Sequence, residues 1–473
     1  MRALSRPWLT VAAIGLSLTL QLSDGFYHHP ALPWLGLSLV AAVLGLVGAR
    51  WPWGLDTPRD HETTRGLLTA GVLVSAVALL SRPLARYMAD PRPWAHPDLL
   101  VVVGVACATA ITVRPPHGRA AWRRAAVVLV VVGLWIGAWT VRESPVPHID
   151  VMPVHEKAFA ALATGDSPYA ITFENIYRDN EAFYAAGMRE GQRVLFGFPY
   201  PPLSLLLAWP GHALLGDLRY SEVAALALAA ALLVWMQGSL ALLCAAALIL
   251  APRVIFHLEQ GWTEPFPIAL LALTVATALR RPSLAWLPLG LLVASKQHMA
   301  VALAFAPMLI GTPIGGDGWQ ARAAWRPLLA FLLKALAVAA VVTLPLALLD
   351  VDAFMRSAVL LQVREPFRLD SLSFTRALLE LGVPLDRHGA LAVSLSAGAL
   401  GLGLAWWRAP RTPAGFAASL GVTCFLLAAF GKKAFLNYYF LVIAFLLVAI
   451  AAAGRQAEEA TPTPSSVPPA PRG

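Results

Sequence analysis

Charge is scarce in this chain. Only 13% of its 473 residues are Asp, Glu, Lys or Arg, whereas 58% are hydrophobic. A soluble domain carries roughly 25% charged residues, so water is excluded as the solvent for most of this surface and a lipid bilayer is implied. Cysteine is scarce too: the chain has three, Cys107, Cys244 and Cys424, each inside an apolar run. That scatter excludes a disulfide framework or a cysteine zinc site, and predicts small buried residues. The sequence has no phosphate loop, dinucleotide fingerprint or His-Glu-x-x-His. Without a nucleotide-binding signal or a cytosolic domain, a nucleotide-linked substrate is disfavoured. No internal repeat is visible, which argues against an inverted-repeat transporter.

Apolar runs are what the chain has in abundance. They fall near 8–22, 30–48, 66–81, 98–114 and 125–141, and resume near 223–237, 239–252, 265–279, 284–295, 299–311, 327–349, 389–407, 414–430 and 434–453. The pattern predicts an all-α, polytopic transmembrane protein with about 13–14 spans. The first run follows Arg2 and Arg6 like a signal peptide, but no small-x-small site follows, so a retained span is expected. Lys plus Arg is 36 against 27 for Asp plus Glu, a net charge of +9. Most of the arginine sits in short loops, where it fixes orientation, so nucleic acid is not implied. Three segments are expected: N-terminal helices over 1–124, a core over 125–453 with loop 142–222, and a disordered cytoplasmic tail over 454–473.

Basic loops give a sidedness. Arg50, Arg59 and Arg65 mark the cytoplasm, as do Arg114, Arg119, Arg123 and Arg124. So do Arg280 with Arg281, and Arg408 with Arg411. Counting from these puts 142–199, 253–264, 296–298, 350–388 and 432–433 on the external face. That face then collects Asp150, Glu156, His257, Glu259, Glu264, Lys296, His298, Arg364, Arg368, Lys432 and Lys433. Cations at outer span ends oppose the topological bias, which makes them candidates for function. One loop, with Arg82, Arg86 and Arg92, does not fit the scheme.

Loop 142–199 is the only long polar stretch, and loops of that length usually have a job. Pro153 suits a first helical turn and Gly165 a stop, with Val154, Phe159 and Leu162 between them to rest on the membrane. Asp150 stands just before that helix, either as its cap or facing a lipid-borne substrate at the bilayer edge. Glu156 and Lys157 suit a solvated face, and Tyr169, Tyr177 and Tyr184 suit interface aromatics. The stretch Pro201 to Gly216 is short and interrupted by Pro210, as expected of an interfacial or re-entrant helix.

These motifs in this order carry a resemblance. An acid follows a span; then come Gly165-Asp166-Ser167-Pro168-Tyr169 and Phe198-Pro199-Tyr200-Pro201-Pro202-Leu203. Glu259-Gln260-Gly261-Trp262-Thr263-Glu264, Ser295-Lys296-Gln297-His298 and Lys432-Lys433-Ala434-Phe435-Leu436-Asn437-Tyr438-Tyr439 follow. Over roughly 125–450 the chain resembles the GT-C class of polytopic glycosyltransferases, closest to bacterial polyprenyl-phosphate-mannose-dependent mannosyltransferases. Two departures are plain: four further spans precede that core, and Asp150 has no adjacent second carboxylate, which leaves a divalent cation open.

The resemblance implies a GT-C-like core with external juxtamembrane helices, in the cell (inner) membrane with the active site on its outer face. It implies a polyprenyl-phosphate sugar donor, mannose by the closest likeness. The acceptor would be a glycolipid, polysaccharide or protein hydroxyl. Asp150 would be the base, with Lys296, Lys432 and Lys433 on the lipid phosphate. His257, Glu259 and Glu264 would form the opposite wall, with Glu156, His298 and Tyr438 nearby. A multi-span transporter or flippase of lipid-linked sugars is the competing reading, and a non-catalytic scaffold a third.

Overall fold

A computed structural model describes residues 3–50, 57–81, 86–88, 99–113, 118–177, 183–184, 187–310 and 318–460. Arg82, Arg92, Arg114 and the chain beyond 460 lie outside these residues. The protein is 74% helical, and among the described residues the strands are three two-residue pieces, Phe173–Glu174, Arg189–Glu190 and Arg193–Val194, paired antiparallel within the long loop. It is an all-α membrane protein.

Fewer long apolar helices are found than the roughly 13–14 spans the sequence predicts. Among the described residues, five helices are long and apolar enough to cross a membrane: Arg59–Leu80, Ala120–Glu143, Trp325–Ala347, Arg387–Arg408 and Leu436–Glu459. A sixth span arises if Pro202–Leu215 and Arg219–Trp235, bent by 116° at their junction, count as one. The other apolar runs are short because an apolar run is also what a helix buried inside a large bundle looks like. Ala241–Ile249 has nine residues, about 13 Å of rise against a hydrocarbon core of about 30 Å, and nearly all of it is buried. Run 299–311 is a 3-10 helix, Gln297–Met308.

Local sequence accounts for the helix ends that frame the site. Asp350, Asp386 and Thr412 each accept a hydrogen bond from the backbone N–H three residues on, as N-caps do. Gly165 and Gly216 end their helices in the left-handed conformation, at φ 81° and 76°. The helix Val151–Thr164 therefore starts and stops where Pro153 and Gly165 indicate. Its apolar face, however, is not laid on lipid. Val154 and Phe159 are buried in protein, and Phe159 stacks on His212 at 4.4 Å and meets Trp209 edge-on at 5.5 Å. The short helix Pro202–Leu215 covers it.

The tail and the cysteines also depart from expectation. The last helix runs to Ala460, so residues 454–460 are helical, with Arg455 paired to Glu459 one turn on. Cys244 and Cys424 are buried, but Cys107 is exposed on an apolar helix.

Candidate active site

Five stretches far apart in sequence, around 26–27, 169–199, 297, 357–372 and 432–434, are sewn together. The 363–372 stretch is tied to the start of the last helix: Arg368 N donates to Lys432 O at 3.0 Å and Leu372 N to Ala434 O at 3.0 Å. It is also tied to the N-terminal hairpin, through Tyr27 N to Asp370 O at 2.9 Å and a β-bridge between Phe26 and Ser371. Gln297 Nε2 donates to Pro199 O at 2.7 Å and to Ala358 O at 2.8 Å. Ser357 Oγ accepts from Gly197 N at 2.9 Å and donates to Tyr169 O at 3.1 Å. Any side chain at Gly197 would drive its Cβ to 2.2 Å from Tyr169 O, so only glycine permits this crossing. Ser357 and Ala358 lie in a π-helical turn, Met355–Leu360, an irregularity that often accompanies function.

These loops enclose a cavity of about 430 Å³, within the usual range for a small-ligand site. Asp150, Lys296, His298, Lys433 and Tyr438 all line it, together with Gln260, Glu365 and Arg368. The grouping of loops expected from charge counting is thus met in space: residues from 142–199, 253–264, 296–298, 350–388 and 432–433 share one chamber.

Asp150 occupies the N-cap position of the helix Val151–Thr164, yet its side chain makes no cap bond. Its Oδ2 instead accepts from the Tyr184 hydroxyl at 2.7 Å, and its backbone N–H donates to the Tyr177 hydroxyl at 3.3 Å. Among the described residues Oδ1 has no hydrogen-bond partner. Burial, reinforced by the charge of Asp150, raises the Tyr184 hydroxyl far above its usual range, so it stays protonated and acts as a donor. Tyr177 and Tyr184 are therefore cavity residues rather than interface aromatics, and Tyr169 is fully buried.

The cations are mostly spoken for. Lys296 forms a buried ion pair with Glu264, whose same Oε1 accepts from Asn437 Nδ2 at 2.8 Å. Lys296 also lies over the Tyr200 ring at 5.0 Å. Lys433 pairs with Glu365 at 2.8 Å. Burial by itself would depress the Lys433 ammonium, but Glu365 and Tyr438 outweigh it and raise it above its usual value. Arg368 makes two bonds to Asp370, at 2.9 and 2.8 Å, and stacks over Phe183 and Phe435.

Several expected site residues stand elsewhere. Glu156 is exposed on the solvated face of its helix, outside the cavity. Glu259 turns away from the cavity and serves as a buried acceptor for Ser144 Oγ at 2.7 Å and for the backbone N–H groups of Arg86 and Tyr87, each at 2.6 Å. His257 is fully buried behind the wall, 4.5 Å from the Phe440 ring. Glu264 does not line the chamber and acts through Lys296. Lys432 donates to the carbonyls of Val363 and Glu365, a loop staple. Of the two arginines grouped on the external face, Arg368 lines the cavity and Arg364 is exposed.

The N-terminal helices, expected to stand before the core, contribute walls as well: Phe26, Arg86 and Tyr87 line the chamber. The one signal for Arg86 was that its loop broke the positive-inside pattern. For Phe26 and His155 there was none. His155 is buried against Phe198 and Tyr200, with Nδ1 2.7 Å from Val151 O.

No family model, curated protein or solved structure matches this chain.

Chemically, the chamber offers one carboxylate oriented by a tyrosine, a ring of aromatic faces suited to the apolar faces of a sugar, and cations nearby. Among the described residues no group of three or more His, Cys, Asp or Glu side chains is gathered as a metal site. The donor set around Asp150 does not fit a resident divalent cation, so no step is assigned to one.

Proposed function

We propose that the protein is a membrane glycosyltransferase. It moves a sugar, mannose by the resemblance of its motifs, from a polyprenyl-phosphate donor to a hydroxyl acceptor at the outer face of the cell membrane. One observation carries the reading: Asp150, with an open carboxylate oxygen, shares an aromatic-lined chamber with guanidinium and ammonium groups. Glycosyl transfer needs that pair of features. A base takes the acceptor hydroxyl proton, a step worth about 10²–10⁴-fold. Cationic donors stabilise the phosphate left behind when the C1–O bond breaks. Asp150 Oδ1 receives the proton while Tyr184 holds Oδ2. Acceptors with a free hydroxyl, whether glycolipid, polysaccharide or protein, all meet the chemistry.

The test is sugar transfer by the purified protein in lipid, from polyprenyl-phosphate-linked sugars to membrane-extract acceptors, with Asp150→Asn alongside. Transfer by the wild type that the variant loses supports both the activity and the base. Full transfer by the variant removes Asp150 from the mechanism.

A second reading, transport of lipid-linked sugars, draws on two features. One is the 116° break between Pro202–Leu215 and Arg219–Trp235, since transporters use discontinuous helices. The other is Glu222, fully buried in the second of these, with both oxygens lacking a hydrogen-bond partner among the described residues. Movement of a lipid-linked sugar across vesicles without any turnover would favour it over the transferase.

A further inference from the structure

Charge pairing in the chamber leaves a remainder. Lys296 is neutralised by Glu264, Lys433 by Glu365 and Arg368 by Asp370. Two charged groups on its wall have no ionic partner among the described residues: the Asp150 carboxylate and the Arg86 guanidinium. We propose that Arg86 is the residue that binds the phosphate of the lipid-linked substrate.

Three observations converge on it. First, an ammonium already bonded to a carboxylate must give up that bond to take a phosphate, whereas Arg86 gives up none. A guanidinium also matches phosphate oxygens two at a time. Second, the backbone at Arg86 is held in place. The Glu259 carboxylate accepts from Arg86 N and Tyr87 N, and is itself bonded by Ser144. Glu259 thus spends its charge on the backbone and leaves the side chain free, which gives this buried acid a purpose that its distance from the chamber would not suggest. Third, the guanidinium lies 5.8 Å from the Phe26 ring centroid, and Phe26 packs edge-on against Phe435 at 5.7 Å, on whose ring Arg368 lies at 4.7 Å. An aromatic pair thus separates the unpaired guanidinium from the paired one. Arg86 is also exposed, as a group meeting a headgroup at the membrane edge needs to be. Its charge runs against the topological bias that governs the other short loops.

This inference rests on the transferase reading, and it shifts the phosphate contact from Lys296, Lys432 and Lys433 to a residue of the N-terminal helices. The phosphate could in principle come from the polyprenyl carrier, from a phospholipid headgroup or from solution. The carrier's phosphate, a diester while the sugar is attached and a monoester once the C1–O bond breaks, fits best, because the open acid and the open cation then take the two ends of one reaction.

The experiment is binding of a short-chain polyprenyl phosphate to the full-length protein in nanodiscs, with polyprenol, phosphatidylglycerol and inorganic phosphate as separate arms. Arg86→Gln, Arg86→Lys and the exposed control Arg364→Gln are compared with wild type after matched thermal melting. Expected are selective binding of polyprenyl phosphate, a loss of at least ~10-fold in Arg86→Gln, a smaller loss in Arg86→Lys, and none in Arg364→Gln. Wild-type affinity should fall with added salt, since the guanidinium is exposed. Wild-type binding that Arg86→Gln keeps in full overturns the assignment while leaving the transferase reading intact. Wild type that holds polyprenol as tightly as polyprenyl phosphate overturns both. Equal binding of phosphatidylglycerol overturns the choice of the carrier.

Discussion

Asp150 and Glu264 are two carboxylates of one chamber region with opposite surroundings. Asp150 is partly exposed, bonded on one oxygen by a neutral hydroxyl, and open on the other. Glu264 is fully buried, paired with Lys296 and bonded by Asn437. Sequence marks both as candidate site acids, because counting from loop arginines puts both on the external face and the resemblance places both in the site. What separates them is what their charge is already doing. A buried pair satisfies itself and holds two elements together, and an acid so committed is a poor base. An acid oriented by a tyrosine keeps its capacity to accept a proton.

The largest contrast comes from neutralising each acid in turn. Asp150→Asn should lower transfer about 10²–10⁴-fold with a thermal midpoint close to wild type, because no ion pair is lost. Glu264→Gln should do the reverse in kind. It strands Lys296 in a buried position, at a cost of about 3–5 kcal/mol, read as a lower midpoint in detergent before activity is considered. Adding Lys296→Met to Glu264→Gln should restore much of that stability, since an apolar replacement of a buried pair is often neutral. A Glu264→Gln protein as stable as wild type would show that the pair does not hold these elements together.

The same two acids show how far sequence reaches. Which loops meet was legible, since the loops that counting from the arginines groups together share the chamber. Which charged residues within them face the chamber was not legible, because pairing is three-dimensional. Glu259 and Gln260 are neighbours, yet Gln260 lines the cavity while Glu259 faces the 86–87 backbone. Apolar runs outnumber the long apolar helices found among the described residues for a related reason. The helices Trp325–Ala347 and Leu436–Glu459 are equally hydropathic, yet 17% of the first and 89% of the second is buried. Lipid and protein interior are similarly apolar solvents, so composition does not distinguish the rim of the bundle from its centre. Short central helices such as Ala241–Ile249 are then counted as spans. The N-terminal wall was missed because Phe26, Arg86 and Tyr87 lie outside the apolar runs and carry no motif of their own.

A smaller effect tests the buried side of the comparison. Burial, aided by Lys296 and opposed by the bond to Val151, lowers His155 to about 4. In the unfolded chain it titrates near ~6.5. Its folded value is depressed, so protonation favours the unfolded state. The stability it permits is complete above pH ~6.5, declines as pH falls, and levels off below pH ~4, a total of about 3 kcal/mol. His155→Phe keeps the contacts with Phe198 and Tyr200 and removes the titration. Its thermal midpoint should therefore change less than that of wild type between pH 7.5 and 4.5. Parallel curves for the two proteins would mean that His155 is not the group responsible.

The finest test bears on what makes Asp150 the open acid. The Tyr184 hydroxyl is the one partner of its carboxylate among the described residues, and a hydrogen bond to a charged group is worth about 1.5–3 kcal/mol. Tyr184→Phe keeps the ring that packs against Phe196 at 5.7 Å and deletes only the donor. If the tyrosine positions the base, transfer should fall by about tenfold, with the acceptor KM little changed. A merely structural tyrosine would lower the thermal midpoint and leave transfer per folded enzyme unchanged. Asp150→Asn in the Tyr184→Phe background should then cost less than in wild type, since the two residues act as one unit. Additive losses would separate them and leave Asp150 to be held by the helix start alone.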